Sequence, residues 1–204
     1  MAQILKFYDE KHIYELDGEQ IPSVSEISRF VSREVYGDIA QYTLDHAADR
    51  GSKVHKQCEL LDKYGECECD NEIAPYIKAY IKFLEEHQPE WVAIEKPLAC
   101  KEKGYAGTLD RVGRLKDGRF AIVDLKSSSV VQKVLAQIQM NGYKGLWEAN
   151  EAQKVDALII LHLRKDETYK PHEIPMDGTL FEACLALHNA TKKKRRAKKS
   201  NGGE

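Results

Sequence analysis

Val155 to Leu163, Val-Asp-Ala-Leu-Ile-Ile-Leu-His-Leu, is a nearly continuous apolar run of strand length. A strand that met water on one face would need only alternate apolar residues, so a run like this one demands cover on both faces. That requirement selects a sheet sandwiched between helical layers. A second apolar run, Phe120-Ala121-Ile122-Val123, ends in Asp124-Leu125-Lys126, and Trp91 to Glu95 and Tyr105 to Leu115 read as two earlier strands. Asp117-Gly118 supplies a hairpin turn between the strands at 105–115 and 119–126. A helix over about 130–149, with Val130, Val134, Ile138 and Trp147 among its apolar positions, separates the last two strands. Strand, strand, strand, helix, strand is the order of a mixed sheet flanked by helices, an α/β core.

Upstream, Ile4, Phe7, Ile13, Tyr14 and Leu16 alternate loosely around Asp9-Glu10 and Asp17-Gly18, which predicts a β-hairpin. Pro22-Ser23 then opens a helix, with Ser23 or Ser25 as cap and Glu26 at capping-box distance from Ser23. Further helices are predicted over about 38–63 and 72–87. The first is expected to break near Gly51, where Ser52 restarts it and places His55 in a first turn. A last helix is predicted over about 177–190.

At 204 residues, 42% hydrophobic and 31% charged, the chain suits one soluble domain with a proper core, and no stretch is apolar enough to span a bilayer. Met1 to Lys6 lacks the basic and apolar regions of a secretory signal, which places the protein in the cytosol. Cys58, Cys67, Cys69, Cys100 and Cys184 form an odd set without CxxC pairs, as expected of reduced thiols. Net charge is only -2, yet Lys192, Lys193, Lys194, Arg195, Arg196, Lys198 and Lys199 crowd the end, where Glu204 alone opposes them. Residues 1–191 are read as a single acidic domain and 192–204 as a basic, disordered tail. The tail is either merely solvated or a contact for nucleic-acid phosphates.

Several polar residues stand out against this frame. Asp124 and Lys126, two apart on a strand, share a face, so a carboxylate and an amine meet there. Gly107-Thr108-Leu109-Asp110 lies one strand earlier, and Gly51 to His55 lies on a helix. Gln139 and Tyr143, four apart, share a face of the next helix. A carboxylate beside an amine on one strand face suits a hard divalent cation next to a water that must be deprotonated, and Mg²⁺ or Mn²⁺ prefers carboxylate oxygens such as those of Asp110 and Asp124. An imidazole donor suits Mn²⁺ slightly better than Mg²⁺. Plainer roles stay open: Asp110 paired with Arg111 or Arg114, Gln139 and Tyr143 as buried core polars, His55 as an ordinary helix residue. Tyr105 is either a base-stacking ring or a half-buried strand aromatic.

In this order the residues resemble the RecB-like branch of the PD-(D/E)XK nuclease superfamily. Its motifs are a Gly-x-x-x-His helix, a Gly-x-x-Asp strand, an Asp-x-Lys strand and a Gln-x-x-x-Tyr helix, matched here by Gly51–His55, Gly107–Asp110, Asp124–Lys126 and Gln139–Tyr143. Tyr14 to Gly18 and Ile21 to Ser25 are similar to phage and mitochondrial exonucleases of this branch, and the resemblance covers residues 12–163. It implies a restriction-endonuclease-like core over 91–163, with a helical arch or cap over 23–87. Implied metal ligands are His55, Asp110, Asp124 and the backbone carbonyl of Leu125, with Glu95 in support and Glu59 weaker. Lys126 would position the nucleophilic water or offset developing charge, and Gln139 and Tyr143 would orient phosphate or the carboxylates. The resemblance implies a divalent-metal-dependent DNA exonuclease of phage or prophage recombination or replication. DNA ends are its substrate, and a single-strand-binding or annealing protein is its partner. A structure-specific or restriction-like endonuclease and a non-catalytic DNA-binding accessory protein are the alternatives. Iron-sulfur members of the branch carry three cysteines after the core. Here Cys184 is the only cysteine beyond residue 100, so no cluster is expected.

Overall fold

A computed structural model describes residues 4–8 and 11–200, with the side chains of 193–200 left out. The Asp9-Glu10 turn, residues 1–3 and residues 201–204, Glu204 included, lie outside the described residues. Among the described residues, eight strands and six helices follow in order: β1 Leu5–Tyr8, β2 Ile13–Leu16, β3 Glu19–Ile21, α1 Val24–Ile27, α2 Arg29–Tyr36, α3 Gln41–Tyr64, α4 Ala74–His87, β4 Glu90–Cys100, β5 Tyr105–Arg114, β6 Phe120–Lys126, α5 Lys133–Asn150, β7 Ala157–Leu163, β8 Tyr169–Glu173 and α6 Thr179–Ser200.

The main sheet has the order β4-β5-β6-β7-β8. Only β6 and β7 run parallel, joined by the α5 crossover that a parallel pair requires. All seven residues of β7 are buried because both faces are covered. Leu158 and Ile160 face the layer of α1, α5 and α6 with Ile138, Leu146 and Phe181. Ile159 and Leu161 face α3 and α4 with Val54, Tyr80 and Phe83. Each such side chain contributes roughly 1.5–3 kcal/mol relative to exposure, which makes this central strand the anchor of both layers. The mixed sheet between helical layers is the α/β core the sequence implies.

Several local expectations need correction. The N-terminal unit is a three-stranded antiparallel sheet, because Asp17 and Gly18 both take positive φ (51° and 88°) and turn β2 into β3. Helix α3 does not break at Gly51: a Cβ there would meet nothing closer than Ser127 Oγ at 3.9 Å, and His55 sits mid-helix. Helix α4 packs its apolar side, including Tyr80 and Phe83, onto the sheet. Strand β8, with a half-exposed pattern, was not foreseen. The main chain of helix α6 runs on to Ser200 and includes the basic run from Lys192. Ser23 caps α1 as expected, its hydroxyl accepting the Glu26 amide at 3.0 Å.

Candidate active site

Strands β5 and β6 pair in register from Arg114↔Phe120 to Arg111↔Val123, and the ladder stops there. Beyond that rung, side chains satisfy the main chain of Leu125. Its amide donates to Asp110 Oδ2 at 2.8 Å, and its carbonyl accepts from His55 Nε2 at 2.9 Å. The splay of the two strands thus opens a gap at the ends of β5 and β6. Asp110 and Asp124 flank it, 6% and 1% exposed.

The opposite wall comes from helices. Helix α3 delivers His55, whose Nδ1 lies 3.4 Å from Asp110 Oδ2 and 3.8 Å from Glu95 Oε1. From the other face, α5 delivers Gln139, whose Nε2 donates to Asp124 Oδ1 at 3.1 Å and to the Tyr143 hydroxyl at 2.9 Å. Gly107 is what lets α5 come this close. A Cβ at that position would stand 3.0 Å from Tyr143 Cε1 and 3.1 Å from Leu146 Cδ1, so those side chains would have to give by a few tenths of an ångström. Lys126 reaches back along its own strand to within 2.6 Å of Asp124 Oδ2. His55, Glu95, Asp110, Asp124, Lys126, Gln139 and Tyr143 all line one cleft of about 690 Å³.

The charges shape one another. Burial opposes the His55 imidazolium, but the Asp110 and Glu95 carboxylates outweigh it and raise its pKa to about 9. Burial also holds Asp124 above the ordinary carboxylate range, with Asp110 adding to the effect against the pull of Lys126. Lys126 is itself raised, since Asp124 and Asp110 overcome the cost of burying it. Burial lifts the Tyr143 phenol well above its usual value, which keeps it neutral.

His55, Glu95 and Asp110 present three ligand atoms within 4.8 Å of one another, a hard-oxygen set with one imidazole nitrogen. Asp124 lies outside that triplet, and its buried Oδ2 is met by the Lys126 ammonium at 2.6 Å. Two carboxylates and an imidazole converging on one point are a donor set that fits a divalent metal.

Glu95, weakly marked in the sequence, proves central. It takes φ 46° within β4, an unusual conformation for a residue other than glycine, and its Oε1 accepts from Arg111 Nη1 at 3.0 Å. Arg111 is fully buried and also bonds Asp62 and the Asp110 carbonyl, while Tyr80 donates to both Asp62 oxygens. Arg111 therefore does not neutralise the Asp110 carboxylate, and Arg114 bonds Gly118 instead. Sequence reasoning missed Asp62 altogether. Its only signal is seven-residue spacing from His55, two helical turns along α3. Glu59 lines the same cleft but is held by Lys56 and Lys63. Tyr105 is not a stacking ring for a base: it is 1% exposed and its hydroxyl donates to Gly142 O.

The basic residues of α6 stand apart from this constellation. Lys192 lines a separate groove with Glu26, Phe30 and Arg33, and the side chains of Lys193 to Lys199 lie outside the described residues. The five cysteines are free. Among the described residues no helix is long and apolar enough to cross a membrane.

No family model matches the chain, and no curated protein matches it in sequence. Among solved structures it is similar to an alkaline exonuclease from Laribacter hongkongensis, at 12% identity and a TM-score of 0.45, over 89% of this chain and 94% of that one. The complex of that exonuclease with dAMP gives 14% identity and a TM-score of 0.42, over 87% and 94%. Likeness at this distance transfers no residue role.

Proposed function

We propose that this chain is a divalent-metal-dependent DNA exonuclease that hydrolyses phosphodiester bonds from DNA ends, a member of the PD-(D/E)XK nucleases. One observation carries the reading: four short motifs far apart in sequence meet in one cleft. His55 touches Asp110 and the Leu125 carbonyl, while Lys126 and Gln139 hold the two oxygens of Asp124. A module that merely bound phosphate would gain from cations and would not gather Glu95, Asp110 and Asp124 around them.

His55, Glu95 and Asp110 would hold Mg²⁺ or Mn²⁺, with Asp124 Oδ2 and the Leu125 carbonyl adjoining. When bound, such an ion supplies Lewis acidity toward a phosphoryl oxygen and lowers the pKa of an attacking water. The remaining work falls to the chain. An ammonium 2.6 Å from a carboxylate stays charged, so Lys126 acts by electrostatics, meeting the negative charge that builds on the phosphate oxygens. Gln139 fixes one oxygen of Asp124, and the neutral Tyr143 hydroxyl fixes Gln139. Arg111 sets the Glu95 carboxylate from behind. The biological setting that suits this activity is end trimming or resection in phage recombination or replication, in the cytoplasm of a host cell, alongside a single-strand-binding or annealing protein.

End-labelled linear DNA and covalently closed circular single-stranded DNA, each with Mn²⁺ and with EDTA, test the proposal. Linear molecules should be degraded only with metal, and circles should survive until they are linearised. Rapid cutting of intact circles would replace the exonuclease with an endonuclease at the same site. Absence of metal-dependent cleavage of any DNA would overturn the reading.

A further inference from the structure

The cleft has a rim that the chemistry above does not use. Phe7 at the end of β1 and His12 just before β2 line the same cleft as Asp110 and Lys126. The Phe7 ring stacks on Tyr14 at 4.6 Å between centroids and 21° between planes. His12 stands edge-on to both rings, at 5.6 Å from Phe7 and 5.4 Å from Tyr14. Tyr14 is 1% exposed, and its hydroxyl shares a 2.8 Å hydrogen bond with Thr108 Oγ1, two residues before Asp110. The three rings are thereby tied to the strand that carries a catalytic carboxylate.

Packing accounts for part of this. Phe7, half-buried, joins the small cluster of Tyr14, Leu16, Ala99 and Ala106 that seats the N-terminal sheet. His12, in the connection between β1 and β2 with φ 49°, rests edge-on against both rings yet stays exposed at the mouth of the cleft. The cleft itself narrows the choice. Its interior is dominated by carboxylates, two lysines and His55, which is engaged with Leu125 and Asp110, and Tyr143 is engaged with Gln139. Phe7 and His12 are thus the aromatic surfaces, among the described residues lining it, that remain open to a flat uncharged partner.

We propose that Phe7 and His12 form a stacking platform for an unpaired nucleobase of the DNA strand whose phosphate lies at Asp110, Asp124 and Lys126. The proposal rests on the nuclease reading and extends it: the strand in the cleft is single, because a paired base keeps its faces against its neighbours in the duplex. Stacking gives affinity without charge, which a site rich in carboxylates needs, and it tolerates any base sequence.

The test is binding of a single-stranded oligonucleotide carrying 2-aminopurine near its end. Ca²⁺ replaces Mn²⁺ so that cleavage does not intervene. Wild type is compared with His12→Ala, which removes an exposed ring, and with Phe7→Leu, which keeps apolar bulk in the small cluster. Stacking predicts quenched fluorescence with wild type, partial recovery with each variant and a Kd raised about tenfold. An oligonucleotide with an abasic residue at the probe position should bind wild type and variants alike. Variants that match wild type in Kd and fluorescence would remove the platform while leaving the nuclease reading in place. Equal weakening toward intact and abasic strands would also overturn it, by showing a structural effect alone. A wild-type protein that neither binds nor cleaves the strand would sink the nuclease reading, and the platform with it.

Discussion

On the sheet side of the cleft, Asp110, Asp124 and Lys126 are carried by strands that each hydrogen-bond to a neighbour on both sides. On the helical side, His55 reaches in from a 24-residue helix of which only Val54 and Cys58 are buried. The sheet side is therefore fixed by ladders and core packing, whereas the helical side depends on a few contacts. Those are the His55 bond to Leu125, the Val54 and Cys58 side chains, and the buried Arg111–Asp62 pair that joins β5 to α3. If the cleft acts as proposed above, the firmly held charges lie on the sheet side and the more lightly anchored ligand on the helical side.

The contrast can be broken at its strongest point first. Asp110→Ala and Asp124→Ala should each lower cleavage by at least about three orders of magnitude, because each removes a charge the site is built around. Far-ultraviolet circular dichroism should stay unchanged, since the ladders hold the strands. Unfolding of either variant would show that the carboxylates, rather than the sheet, hold this side together.

At the joint between the two sides, Arg111→Met should destabilise the protein by about 3–5 kcal/mol in urea titration, because Asp62 is left as an uncompensated buried charge. Adding Asp62→Leu should restore much of the loss. Equal stability of wild type and the single variant would mean that water reaches Asp62 and that the joint is soft.

Lys126→Ala comes next. Activity should fall about a hundredfold, the scale of one electrostatic contact with a transition state, with Mn²⁺ affinity little changed. Full turnover by this variant would remove Lys126 from the chemistry.

The helical side is tested by pH. His55 has a folded-state pKa near 9 against an ordinary 6.5, so the stability it contributes is complete below pH 6.5 and is lost as pH rises toward 9. In EDTA the stability should fall by about 3 kcal/mol across that window, and His55→Gln should flatten the curve. Mn²⁺ should reverse the trend, since a ligand imidazole must first shed its proton. A wild-type curve flat from pH 6.5 to 9 in EDTA would contradict the His55–Asp110–Glu95 contact.

The smallest effect belongs to neither side. Removing residues 193–204 should weaken DNA binding and reduce its salt dependence, because lysines and arginines release counterions from phosphate. Turnover on a short saturating oligonucleotide should be unaffected. An identical salt slope in the truncated protein would leave the basic run without a nucleic-acid role.

The sheet side was legible from sequence because strand geometry is strict. Residues two apart share a face, so Asp124-Leu125-Lys126 at the end of an apolar run placed a carboxylate and an amine together, with Gly107 to Asp110 on the neighbouring strand. The helical side was less so. One residue per turn can reach the cleft, so α3 advertised only His55, and Gly51 suggested a break that tertiary packing overrides. Glu95 and Asp62 were obscure for a different reason. Each is placed by Arg111, and a contact that crosses three elements leaves no spacing to read. The third N-terminal strand and β8 were missed because they are short or half-exposed, where apolar alternation is weakest.

Because the Leu125 amide is bonded to the Asp110 carboxylate instead of to a main-chain carbonyl, its proton resonance is an internal reporter of that carboxylate. Protonating Asp110, or drawing its charge toward a cation, would weaken this one bond and shift the signal upfield while neighbouring amides of β6 hold still. A single assigned peak in a nitrogen-15 spectrum could then follow metal loading, strand entry and product release in the native protein, without a label placed in the cleft.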